Sequence, residues 1–145
     1  MVFGWLTPTN FHRMFSIADA LLTERDYVLT QRDSVDKLKV QYEPGYGEDT
    51  SFYDPFWDEV TIADAAGDDG YDDGVAMHEY GHWFAANYAC DDSDGGHHTL
   101  TGHYDNDLAW SEGWASYLSS AAKLGRTHFD TLVMLAEGRP WMPAH

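Results

Sequence analysis

Residues 72–88 read DDGVAMHEYGHWFAANY, and the rest of the chain is read outward from them. His78 and His82 stand four apart, with Glu79 directly after the first histidine. Positions i and i+4 share one face of an α-helix, so a helix here aims both imidazoles at one point. Glu79 lies about 100° round that helix and would reach a water beside the point rather than the point itself. The flanks favour a helix over about Val75–Tyr88. Val75, Ala76, Met77, Tyr80, Trp83, Phe84 and Ala86 include no helix breaker, and Asp72 or Asp73 suits the N-cap. Gly81 is the exception and costs about 1 kcal/mol of helix propensity. It is tolerable where another segment must approach closely.

Two histidines do not make a catalytic zinc site, which takes three protein ligands and keeps one position open. The extended pattern H-E-x-x-H-x-x-G-x-x-H would draw the third from the same helix. The chain has Ala85 and Tyr88 at those places, so the third ligand lies elsewhere. Candidates are Asp91, Asp92, Asp94, His97, His98, His103, Asp105, Asp107 and Glu112. Glu112 stands out inside AWSEGWASYL, residues 109–118, flanked by Trp110, Trp114, Ala115 and Leu118. A glutamate in so apolar a segment is costly to bury unless paired or ligated. The competing reading is a helix residue facing water. Gly113 and Ala115 beside Glu112 would let this helix pack closely on the first.

Around these stretches the pattern is that of one small domain over residues 1–145. NFHRMFSIADALLTERDYVLTQ, from Asn10, has helical spacing through Phe11, Phe15, Ala18, Leu21, Leu22, Val28 and Leu29, with Asn10 placed to cap it. KLKVQYEP alternates Leu38, Val40 and Tyr42 with polar residues, as a half-buried strand does. SFYDPFWDEVTIAD gives a second extended segment with a turn at Asp54-Pro55 and β-formers Val60, Thr61 and Ile62. Two polar loops, a helix from about Asp107 to Gly125 and a short helix in THFDTLVMLAEG complete it, with RPWMPAH as a tail. The expected class is α+β.

Composition excludes some partners. The chain is 43% hydrophobic and 15% aromatic, enough to bury a core. Its formal charge of −17, from 25 acidic and 8 basic residues, repels phosphate backbones and anionic lipids. Nucleic acid and membrane are therefore not expected partners. The acid excess suits either solubility or life at high salt, where cations screen it. Cys90 is alone, so no intrachain disulfide is expected. No apolar run reaches membrane-spanning length, and MVFGWLTPTNFHRMF is not built like a signal peptide. A cytoplasmic chain, or a piece of a longer parent, is expected. The acidic loops around Asp68, Asp69, Asp72 and Asp73 and around Asp91, Asp92 and Asp94 could bind calcium, but neither fits a calcium-loop motif.

HEYGHW followed by LAWSEGWASYL resembles the gluzincin, thermolysin-like zinc metallopeptidases, which pair an HExxH helix with a later glutamate helix. The resemblance covers roughly residues 42–124. It is nearest to uncharacterised bacterial peptidase domains that share the YDDxVxxHEYGH and GGxHxLTGxY style. It implies a small zincin-like domain, with a short, mostly antiparallel sheet beside the active-site helix and the glutamate helix. It further implies one zinc ion held by His78, His82 and Glu112, and Glu79 as general base in hydrolysis of a peptide or protein substrate. The strand near Val60 would be the edge that pairs with an extended peptide. Many family members carry an aspartate four residues after the ligand glutamate, to orient a zinc histidine; here that place is Ser116. A serine can still accept from an imidazole but brings no charge. The family's oxyanion donor comes from a later subdomain; substitutes within this chain are His98, His103, Tyr104, Tyr117 and His128, with His98 preferred. A chain with the ion and no turnover, a zinc-stabilised binding or structural module, is the alternative.

Overall fold

The fold is seen in a computed structural model that describes residues 8–42, 50–63, 69–93, 95, 98 and 102–123. Helix α1 spans Pro8–Val28, strand β1 Lys39–Tyr42, β2 Phe52–Asp54 and β3 Glu59–Ile62. A short 3-10 turn at Asp69–Tyr71 leads into α2, Asp73–Tyr88, and α3 follows at Asn106–Ala122. The class is α+β. The expected helix in THFDTLVMLAEG, its tail and Gly125 lie outside the described residues. Among the described residues, no helix is long and apolar enough to cross a membrane.

The sheet is mixed rather than mostly antiparallel. Its order is β1-β3-β2, with β1 parallel to β3 and β2 antiparallel to it. The β2–β3 hairpin turns where Asp54 Oδ1 accepts from the backbone N–H of Phe56 (2.8 Å) and Trp57 (3.2 Å), and Asp58 takes φ 50°. Such an aspartate turn is a local signal, which is why it was readable. The parallel partner on the far side leaves no local signal. Alternation reports which face is buried, not the direction of the neighbouring strand. The strand expected at the edge, around Val60, is consequently the central one, and β2 forms the edge beside α2.

Val60 and Ile62 from β3 meet Ala76, Met77, Tyr80 and Trp83 of α2 in the core, closed by Ile17, Ala20 and Val28 of α1 and by Leu118 and Ala122 of α3. The buried stripe of α1 differs from the expected one. Phe11, Phe15 and Leu22 are exposed and Ala18 faces solvent, whereas Ile17, Ala20, Glu24 and Val28 are buried. The helix carries two apolar stripes, and the one through Ile17, Ala20 and Val28 joins the core. Asn10, the expected cap, sits within a helix that begins at Pro8, and proline is favoured in a first turn.

Candidate metal centre

Both helices that build the site begin on an aspartate. Asp72 Oδ1 accepts from the N–H groups of Gly74 (2.9 Å) and Val75 (3.3 Å). Asp105 Oδ1 does the same for Asp107 (3.1 Å) and Leu108 (2.9 Å). Each cap satisfies two otherwise orphaned donors and sets the phase of the helix behind it. The two helices meet with unusual closeness at Gly81. A Cβ there would lie 2.7 Å from the Ala115 Cα and 3.1 Å from its Cβ. Gly81 is thus the point of close approach that its position between the histidines suggested. Gly113, expected at the same contact, instead looks into open space.

That approach brings His78, His82 and Glu112 together, with one ligand atom from each within 4.8 Å of the others. His78 Nε2 lies 3.0 Å from Glu112 Oε2 and 3.0 Å from His82 Nε2. His82 Nε2 lies 3.3 Å from Glu112 Oε1. Four tetrahedral bonds of about 2.0–2.2 Å place neighbouring donor atoms about 3.3–3.6 Å apart. Of the observed edges, 3.3 Å meets the lower end of that range and the two of 3.0 Å fall about 0.3 Å short of it, so a small outward shift of the donors would admit a single small cation. Two imidazole nitrogens and a carboxylate are also the donor chemistry zinc takes. The group could hold a metal ion.

The electrostatics agree. Burial pushes the Glu112 carboxyl up, but hydrogen bonds from His78, His82 and His98 outweigh it and hold the group well below the usual carboxylate range. Burial pushes the His82 imidazole down, yet Glu112, Glu79 and Asp91 together leave it raised. The ring nitrogens and the carboxylate therefore gather positive charge, as a proton or a metal would supply it.

Behind the histidines stand two hydroxyls. Ser116 Oγ is 3.3 Å from His78 Nδ1, where the resemblance put an aspartate. Ser111 Oγ is 3.1 Å from His82 Nδ1 and donates to Asp91 Oδ2 at 2.5 Å. Ser111 was not among the residues expected at the site; its one signal in sequence is a hydroxyl next to Glu112 in an apolar helix, which needs a partner once buried. Asp91, weighed as a ligand, stands behind one. Of the other ligand candidates, Asp105 caps α3, Asp107 lies in its first turn, Asp92 and His103 are exposed, and Asp94 and His97 lie outside the described residues.

Glu79 is buried and lines an open cleft with Phe52, Tyr53, His82, His98 and Glu112. Of the oxyanion candidates among the described residues, His98 lies at the centre, with Nε2 3.1 Å from Glu112 Oε2. The Tyr104 ring lies 6.2 Å from the His98 ring, Tyr117 is exposed on α3, and His128 is outside the described residues. Of the acidic-loop residues, Asp69 accepts from Ser51 Oγ at 2.7 Å, Asp72 and Asp91 are bonded as described, and Asp68 and Asp94 lie outside the described residues.

An uncharacterized protein of Archaeoglobus fulgidus is 40% identical over 108 residues, which cover 70% of this chain and 30% of that protein. The chain thus spans about 30% of the length of this relative. No solved structure matches. Residues 23–131, which hold α2, α3 and every donor of the centre, match the family model of the Mycolysin C-terminal domain, and the chain belongs to that family.

Proposed function

We propose that this chain is a gluzincin-type zinc metallopeptidase domain. The observation that carries the reading is the convergence of His78, His82 and Glu112 within 4.8 Å, beside the buried Glu79 in an open cleft. The family is peptidase-associated, which supports the reaction class without assigning catalysis.

His78, His82 and Glu112 would hold the ion. A bound zinc supplies Lewis-acid polarisation of the scissile carbonyl and lowers the pKa of a water to about 7. The Glu79 carboxylate takes a proton from the attacking water and passes it to the leaving amine. His98, whose Nε2 lies 3.1 Å from Glu112 Oε2, would turn its N–H from that carboxylate to the developing oxyanion, a role worth about 2.7–4 kcal/mol where such donors have been removed. The β2 edge, through Phe52 and Tyr53, lines the cleft and offers its backbone to an extended peptide by strand addition.

A second reading keeps the ion and drops turnover, leaving a zinc-stabilised module. The observation favouring it is the neutral Ser116 behind His78, in the place of a carboxylate. One variant separates the two. Glu79→Gln keeps its volume and touches no donor of the centre. Under the peptidase reading, the zinc-loaded wild type cleaves a peptide library and the variant does not, while both retain zinc. A wild type that binds zinc and cleaves nothing leaves the module.

A further inference from the structure

We propose that Asp91 is a positioning residue of the metal centre, acting through Ser111 to hold His82 in the tautomer that can ligate. The inference rests on the zinc reading above and extends it to a residue outside the ligand set. Ionised carboxylates only accept hydrogen bonds, and a serine hydroxyl has one proton to give. Ser111 gives its proton to Asp91 Oδ2, at 2.5 Å. Its oxygen can then only accept from His82, at 3.1 Å, so the imidazole proton lies on Nδ1. When a metal takes the place of the proton that His82 Nε2 shares with Glu112, the Nε2 lone pair is the one that faces the ion.

The end of α2 is shaped to deliver this carboxylate. After Tyr88 the chain reverses through Cys90, which takes φ 56°, in the region that favours glycine. The Asp91 N–H then returns to Ala85 O at 3.3 Å, and Asp91 Oδ1 accepts from Ser93 N–H at 3.1 Å. One carboxylate oxygen is anchored to the loop backbone and the other is aimed at α3. The turn after the first helix thereby reaches a histidine of that same helix through a serine of the second.

Asp91→Asn inverts this chain, because an amide N–H donates to Ser111 and frees the hydroxyl to donate to His82 Nδ1. That favours the tautomer with its proton on Nε2, which cannot ligate. The test is zinc affinity by chelator competition for wild type, Asp91→Asn, Ser111→Ala and the double variant, with the visible spectrum of each cobalt(II) form. Ser111→Ala leaves the Asp91–Ser93 turn in place, which guards against a folding failure of the first variant. Each single variant is expected to bind zinc about 10–100-fold more weakly with an altered cobalt spectrum. The double variant should be no weaker than the worse single, since the two residues act in series. Single variants that match wild type in affinity and spectrum, or a double variant whose losses multiply, overturn the relay alone. A wild type that binds no zinc overturns the metal reading and the relay with it.

Discussion

Glu24 is fully buried between the helices, and neither carboxylate oxygen has a hydrogen-bond partner among the described residues. Burial holds its pKa well above the usual value, with Lys123 opposing. A carboxyl that binds its proton more tightly folded than unfolded stabilises the fold at low pH. That stability is lost as pH rises from the ordinary glutamate range, about 4.3, through the raised folded value. Glu24→Gln removes the titration at constant volume. Its stability advantage over wild type, from urea unfolding, should grow as pH rises above about 4.3; an advantage that does not change with pH would contradict this. Gly113 is a second residue with a private role. With open space where its Cβ would be, Gly113→Ala should raise unfolding stability by about 1 kcal/mol. Residue chemistry was the most legible scale in the sequence. The HExxH spacing and the apolar setting of Glu112 pointed to the three side chains that the fold brings together. Glu24 was not legible, because a glutamate within a helical pattern reads as its solvent face.

Among elements, the contact of α2 with α3 sets the centre. Gly81→Ala would gain helix propensity, yet its new methyl meets backbone 2.7 Å away, so the helices must part. Overpacking of this kind costs about 1–3 kcal/mol, more than the roughly 1 kcal/mol gained from propensity. The expected outcome is a lower urea midpoint together with weaker zinc binding, because His78 and His82 flank the contact. The sequence indicated this close approach through a glycine in a helix that otherwise has no need of one. It did not indicate which stripe of α1 is buried, since Phe11, Phe15 and Leu22 read as core residues no less than Ile17 and more than Ala20. Hydrophobicity alone does not separate the two stripes; the packing of Ile17, Ala20 and Val28 into the shared core does. The parallel pairing of β1 with β3 escaped for a similar reason, being a relation between distant segments with no residue that specifies it.

At the scale of the whole molecule, a charge of −17 on 145 residues sets a repulsive field that folding concentrates. Raising salt from about 0.1 M to about 1 M shortens the screening length from about 10 Å to about 3 Å. The melting temperature should rise with NaCl; equal or greater stability in low salt would reject an acid surface adapted to salt. Metal should also stabilise the whole fold, because its donors lie on both α2 and α3 and exist together only when these are packed. At free zinc 100 times the dissociation constant, binding adds about 2.7 kcal/mol, which a chelator would remove. The most direct measurement is the metal content of protein prepared without added zinc, beside that of the His82→Ala and Glu112→Ala variants. About one zinc per wild-type chain, lost in both variants, is the predicted result. A metal-free wild type that also fails to take up zinc on titration would contradict the centre itself.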